Sequence, residues 1–141
     1  MEPAVWRVPR VVPGLKLAGA AALAALALLL GDGDPVRPGV AALAAAALLA
    51  WAGRDLLAPV RLAADAAGVW VPRGYAGRRR LSWTQVEGIR VDRRPRRGIS
   101  TELLEIDAGD ALHLFGRYDL GADPADVAAT LRAAHRAATR A

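Results

Sequence analysis

Charged and apolar positions are segregated along this chain of 141 residues. Two stretches near the N-terminus, residues 17–30 and 40–53, contain no charged side chain, whereas charges are dense beyond residue 61. A helix without charges has no polar face to present to water, so both stretches predict helices that are apolar on all sides. Beyond residue 59 the pattern changes to apolar and polar side chains that alternate with a period of two, which is typical of β-strands.

The first apolar stretch, residues 11–30, predicts a membrane-spanning helix. At 1.5 Å per residue it covers about 30 Å, the thickness of a bilayer hydrocarbon core. The second stretch reaches a comparable length over residues 38–57 if Arg54 and Asp55 lie near the interface. The connecting residues 31–38 are rich in Gly, Asp and Pro, which predicts a tight turn between neighbouring antiparallel helices.

Two other interpretations fit the apolar stretches less well. A cleaved signal peptide would explain Arg7, Arg10 and the first stretch. However, Gly-Asp-Gly-Asp at residues 31–34 is a poor cleavage site, and a second apolar stretch follows directly. A buried hairpin of a soluble protein would have to hide uncharged faces on all sides within a small domain. We therefore expect a transmembrane hairpin.

Flanking charges predict the orientation of this hairpin. Cationic side chains lie at both outer ends of the helices: Arg7, Arg10, Lys16, Arg54 and Arg61. The turn between the helices has one arginine, offset by two aspartates. By the positive-inside rule the N- and C-termini face the cytoplasm, and the chain is a multi-pass protein of the inner (plasma) membrane.

The rest of the chain predicts antiparallel strands. Alternating segments at residues 62–66, 69–73 and 78–83 indicate strands separated by glycine-containing turns. Ile89 and Val91 continue the alternation before Arg-Arg-Pro-Arg-Arg-Gly, which predicts a loop. Two further strands follow as a hairpin, at residues 101–107 and 111–115.

A single helix is predicted at the C-terminal end. Asp123 is a good N-cap and Pro124 suits the first helical position. The following alanine-rich sequence places Val127, Leu131 and Ala134 on one apolar stripe, which can cover an open side of the sheet. The fold class is therefore α+β.

Trp70 and Trp83 are predicted to belong to the core of the sheet.

Three segments resemble a known family. They are Ala67-Gly68-Val69-Trp70-Val71, then Arg79-Arg80-Leu81-Ser82-Trp83-Thr84-Gln85-Val86-Glu87-Gly88-Ile89, and Tyr118-Asp119-Leu120-Gly121. With the hairpin in front, they resemble the bacterial PH (pleckstrin-homology-like) domain family, as found in small actinobacterial membrane proteins with two N-terminal transmembrane helices. The resemblance covers roughly residues 62–138. It implies a curled antiparallel β-sandwich or barrel capped by a C-terminal α-helix, and no established chemistry.

The predicted organisation has three parts. Residues 1–10 form a cytoplasmic N-terminal segment, residues 11–57 the transmembrane hairpin, and residues 58–141 the PH-like domain.

Charge is polarised within the predicted domain. Arginines greatly outnumber carboxylates over residues 73–97, and the reverse holds over residues 98–126. The candidate residues for binding an anion or lipid headgroup are Arg73, Arg78, Arg79, Arg80, Arg93, Arg94, Arg96 and Arg97. The resemblance adds that phosphoinositide-binding PH domains use basic residues around their first strand pair.

The alternative is that the arginines on strands form a solvated face, paired with acids on neighbouring strands. This alternative is weaker for the four arginines of residues 93–97, because they repel one another and would gain from an anionic partner. Nucleic acid is disfavoured as that partner because no aromatic side chains are interleaved with the arginines.

No catalytic or metal site is predicted. The chain has no cysteine, and His113 alternates with leucines as a strand residue does. His135 has no carboxylate or histidine one helical turn away, and Ser82 and Ser100 have no recognisable base. We expect neither an enzyme nor a bound cofactor.

The sequence therefore predicts a membrane-anchored, cytoplasm-facing binding module. Its partners would be anionic lipid headgroups at the inner leaflet, a protein, or further copies of the chain. The alternative is a structural accessory subunit of a larger membrane complex, which acts mainly through its hairpin.

Overall fold

The computed structural model describes residues 2–140 and divides the chain into two compact units. One unit is a helical hairpin formed by residues 9–59. The other combines the N-terminal residues up to Val8 with the chain from Val60 onward. The hairpin is therefore an insertion within the second unit, because that unit contains chain from both sides of it.

The inserted unit consists of two antiparallel helices, α1 (Val11–Leu29) and α2 (Val36–Leu57). Both are long and apolar enough to cross a membrane by length and composition. Their contact surface is built from small residues: Ala45 and Ala52 are buried in α2, and Gly19 of α1 lies opposite Leu48. Small side chains let helix backbones approach closely. The predicted helical hairpin is thus confirmed.

An ion pair joins the two helices at their outer ends. The Lys16 ammonium donates a hydrogen bond to the Asp55 carboxylate, and these side chains are only 16% and 3% exposed. The same ammonium lies 4.3 Å from the centroid of the Trp51 ring, in cation–π geometry. Asp55 is thus compensated by a cation from the other helix.

The second unit contains two antiparallel sheets and two helices in its described residues. The first sheet has the order β1 (Ala4–Arg7), β2 (Val60–Ala64), β3 (Gly68–Arg73) and β4 (Gly77–Ser82). The second has the order β5 (Gly88–Arg96), β6 (Ile99–Asp107) and β7 (Leu112–Phe115). Helix α3 (Arg117–Leu120) follows, and α4 (Pro124–Arg140) closes the chain.

The N-terminal residues belong to the first sheet. Within the predicted N-terminal segment, residues 1–10, the structure forms strand β1, which pairs with β2 in a register that sets Trp6 opposite Leu62. Trp6 packs against the core of this unit. Four alternating residues are too short a pattern to indicate a strand by themselves, and the partner strand lies beyond the whole hairpin in sequence.

The prediction that residues 93–98 form a loop is wrong. Strand β5 continues to Arg96, and β6 begins at Ile99 after a turn of only Arg97 and Gly98, both with positive φ (50° and 78°). Pro95 does not break the strand because of its position in the ladder. It pairs with Ser100, and this pair lies directly behind the pair that flanks the turn, Arg96 and Ile99. Such a pair exchanges no ladder hydrogen bonds in a two-residue hairpin, so the missing N–H costs little.

The core lies between the sheets and α4. Val127, Leu131 and Ala134 of α4 are buried, which confirms the predicted apolar stripe. The terminal helix starts as predicted, because the Asp123 side chain accepts a hydrogen bond from the Ala125 N–H at 2.9 Å. Trp83 is 4% exposed, as expected of a core residue.

Trp70 is only half-buried, so the prediction of a core residue is wrong for this side chain. It lies on the face of β3 opposite to buried Val69 and Val71, and the Arg80 guanidinium sits 5.6 Å from its ring centroid. Sequence alternation does not tell which face of a strand is the core face when both carry apolar groups.

The ion pair predicts that a second substitution restores stability that a first one removes. Replacing Lys16 alone by Met removes the α1 ammonium from the buried Asp55 carboxylate, and we expect the free energy of unfolding to fall by up to about 3 kcal/mol. Adding Asp55→Leu removes the buried charge and should recover part of that loss. Unfolding of the full chain by SDS titration, followed by circular dichroism, measures both values. A double variant that is less stable than Lys16→Met would contradict this role.

Candidate anion-binding surface

The structure places the eight candidate arginines on two hairpins, one in each sheet. The β3–β4 hairpin carries Arg73, Arg78, Arg79 and Arg80. The β5–β6 hairpin carries Arg93, Arg94, Arg96 and Arg97. Neighbours within each hairpin differ in their surroundings, because successive strand residues point to opposite faces.

On the first hairpin two arginines are used within the domain. Arg79 lies 3.7 Å from the Asp110 carboxylate, and Arg80 lies 3.7 Å from that of Asp65 while its guanidinium covers Trp70. These ion pairs are partly exposed, so each contributes at most about 1 kcal/mol. They nevertheless neutralise the charge locally.

Arg73 and Arg78 flank the turn of the first hairpin and are both exposed. Within residues 2–140, neither guanidinium has a carboxylate within ion-pair distance. Tyr75 at the turn is 52% exposed. The end of this hairpin therefore presents two uncompensated cations beside an exposed aromatic ring.

The second hairpin repeats this division. Arg93 pairs across the strands with Glu102 at 2.9 Å, and Arg94 pairs with Asp92 at 2.8 Å. Arg96 and Arg97, nearest the turn, have no carboxylate partner in the described part of the chain. The interpretation as a solvated, acid-paired face thus describes four of the eight arginines, and the other four keep uncompensated charge.

The turn of the second hairpin forms a shallow depression of about 420 Å³. Its lining consists of Arg96, Arg97, Ile99 and Thr101. Ile99 is 71% exposed, so an apolar side chain stands directly beside the two free guanidinium groups. Arg97 has φ of 50°, a left-handed conformation that costs a side chain with a Cβ roughly 1–2 kcal/mol.

A second groove, of about 510 Å³, runs along the outer half of β6. Strand β7 pairs only with Leu104–Asp107, so among residues 2–140 the edge of β6 over residues 99–103 has no neighbouring strand on that side. The groove is closed instead by residues of α3 and its surroundings: Gly116, Arg117, Tyr118 and Pro124. Sequence reasoning missed this feature, because the unequal lengths of β6 and β7 appear only in the register.

Each histidine has a structural position. His113 lies in β7 as expected and shares the strand face of buried Phe115. Burial lowers the pKa of His113, and the nearby Arg79 cation lowers it further, against the opposing effect of Asp110. His135 of α4 donates its Nε2 proton to the Trp83 carbonyl at 3.1 Å. Residues 2–140 bring no three metal-ligating side chains together.

The second unit thus forms a helix-closed pair of antiparallel sheets with cationic hairpin ends. The family model described as Bacterial PH domain matches residues 59–137, which is more than half of the chain. The protein belongs to the bacterial PH domain family, and the predicted family and PH-like fold class are confirmed. No curated protein and no solved structure matches the chain.

Family membership indicates the general kind of function. PH domains are generally non-catalytic and bind proteins or lipids. The match begins at residue 59, so β1, α1 and α2 lie outside it. This chain therefore combines a PH domain with two helices that could span a membrane.

The lowered pKa of His113 predicts a pH-dependent stability. Below about pH 6.5, the ordinary value, the unfolded chain binds a proton that folded His113 resists, so the free energy of unfolding falls as the pH is lowered. Replacing His113 by Gln should reduce this slope. Chemical unfolding of the full chain in detergent micelles between pH 7.5 and pH 5 measures it. Equal slopes for both proteins would show that His113 does not contribute.

Proposed function

We propose that this protein is a membrane-anchored binding module whose PH domain faces the cytoplasm and engages anionic lipid headgroups at the inner leaflet. The observation that carries the proposal is the set of uncompensated arginines, Arg73, Arg78, Arg96 and Arg97, in a chain with two apolar helices. No catalytic step is part of this function.

Electrostatics supports lipid as the ligand. A cation near an anionic leaflet gains about 1 kcal/mol, and this gain is largest for arginines whose charge is not offset by a neighbouring carboxylate. Two such arginines at each hairpin end suit phosphate, because a guanidinium donates two parallel hydrogen bonds to its oxygens. The hairpin would keep the domain at the membrane without any contribution from the arginines. The arginines would then set orientation and lipid preference.

The alternative function is that of an accessory subunit that acts through the hairpin. It is favoured by the exposed leucines of α1 and α2, among them Leu28 and Leu43 at 87% and 74%. Such side chains can face lipid or the helices of another protein. In that case the arginines would contribute nothing to the interaction, which separates the two functions experimentally. A protein partner of the PH domain is a third outcome.

The orientation is tested by a C-terminal reporter enzyme that is active only outside the cytoplasm. We expect no activity, because the cationic flanks of both helices predict that the PH domain stays inside. The same reporter fused within the turn at residues 31–35 should be active. Activity at the C-terminus would contradict the proposed location.

The lipid function is tested by hydrogen exchange of the full chain in nanodiscs. Discs with phosphatidylglycerol should protect the amides of the two arginine hairpins more than discs with phosphatidylcholine, and 0.5 M salt should cancel the difference. Replacing Arg73, Arg78, Arg96 and Arg97 by Gln should also abolish it.

A matched control makes the same change of charge at the ion-paired positions. In this variant Gln replaces Arg79, Arg80, Arg93 and Arg94. It should keep most of the protection. If exchange is the same in both lipid compositions for the unmodified protein, the lipid function is wrong and the hairpin-based function takes its place.

A further inference from the structure

We infer that the end of the β5–β6 hairpin is the element that enters the lipid headgroup layer. In this arrangement Arg96 and Arg97 bind lipid phosphate, and Ile99 reaches the boundary with the acyl chains. The inference rests on the proposed function and names the part of the domain that performs it.

The shape of the second sheet supports this assignment. Strands β5 and β6 pair over their whole length, from Gly88 opposite Asp107 to Arg96 opposite Ile99. Strand β7 accompanies only the first part of this ladder. The remaining hairpin is a two-stranded ribbon, and every residue from 93 to 101 is exposed. A ribbon of this kind can enter the headgroup layer without removing any residue from the core.

The chemistry at the end of the ribbon is amphipathic. Arg96 and Ile99 are cross-strand partners, so their side chains lie on the same face of the ribbon. Thr101 lines the same depression and adds a hydroxyl donor. Cations beside a protruding apolar side chain match the bilayer interface, where phosphates lie directly above the acyl chains.

The backbone at Arg97 gives independent support. A two-residue turn with two positive φ values is formed most readily by Asn-Gly or Gly-Gly. This chain has Arg97 before Gly98 and holds the arginine at φ of 50°. A residue kept in a conformation that its side chain disfavours indicates a role for that side chain outside the fold. The fold itself makes no ion pair with it among the described residues.

The occupant is a bilayer, because the same chain has two helices long and apolar enough to cross one. A soluble phosphate compound offers the same oxygens without an apolar layer, so it would leave Ile99 exposed. The first hairpin has free arginines too, but the large side chain exposed at its turn, Tyr75, carries a polar hydroxyl, whereas Ile99 is wholly apolar.

The chain has no cysteine, so Ser100→Cys provides a unique labelling site at the end of the ribbon. We would attach an environment-sensitive fluorophore to the full chain in nanodiscs of phosphatidylglycerol or phosphatidylcholine. We expect a blue shift, and quenching by brominated acyl chains, with phosphatidylglycerol only. The matched label at Ala133→Cys, an exposed position on α4, should respond to neither lipid.

Four variants sharpen the test. Arg96→Gln with Arg97→Gln should raise the phosphatidylglycerol fraction needed for the half-maximal shift several-fold, whereas Arg93→Gln with Arg94→Gln, an equal change of charge, should have a small effect. Ile99→Ser should reduce the quenching. Arg97→Asn should weaken the response while the thermal stability stays the same or rises, because asparagine accepts the left-handed conformation.

The outcomes separate the inference from the proposed function. A label at residue 100 that stays unresponsive, while hydrogen exchange still depends on phosphatidylglycerol at the β3–β4 hairpin, would overturn the inference and leave the function intact. Equal effects of the two double variants would also overturn it, as would a full response to inorganic phosphate with phosphatidylcholine discs. Loss of lipid dependence in both experiments would overturn inference and function together.

Discussion

The pairing of β1 with β2 is the constraint on which the architecture of this chain depends. It requires Arg7 and Val60 to be neighbours, although the residues between them form a separate helical unit. Only an insertion whose two ends return to the same place satisfies this requirement at low cost in loop entropy. An antiparallel helix pair does so, because it begins and ends on the same side.

The contacts within each unit fit this closed topology. In the hairpin, small residues allow close packing, and Lys16 with Asp55 joins the helices near the ends where the chain enters and leaves. A buried ion pair is weak evidence for stability, but it strongly favours the one register in which both charges are compensated. In the sheet unit, Trp6 of β1 adds an aromatic side chain to the core.

The candidate arginines of the PH domain fall into two groups, one ion-paired and one without carboxylate partners among the described residues. Of the eight candidate arginines, the four farther from the hairpin turns, Arg79, Arg80, Arg93 and Arg94, are balanced by carboxylates, and they belong to the surface structure of the sheets. Arginines beside the turns have no such balance. Since unpaired like charges repel one another and destabilise the compact state slightly, their concentration at two hairpin ends suits an anionic surface. That is the physical basis of the membrane-facing role that we propose for this PH domain.

Local patterns in the sequence determined the two apolar helices, most strands, the buried stripe of α4 and the core position of Trp83. Helical and strand periodicity is a property of neighbouring residues, so it can be seen without the fold. Tertiary structure alone decided that Ala4–Arg7 is a strand, that Lys16 compensates Asp55, that Trp70 lies under Arg80 and which arginines are paired. Apart from the Arg94–Asp92 pair within β5, each of these depends on a partner from another strand, turn or helix. Periodicity reports which residues are apolar, but only the strand register and the helix packing decide which atoms meet.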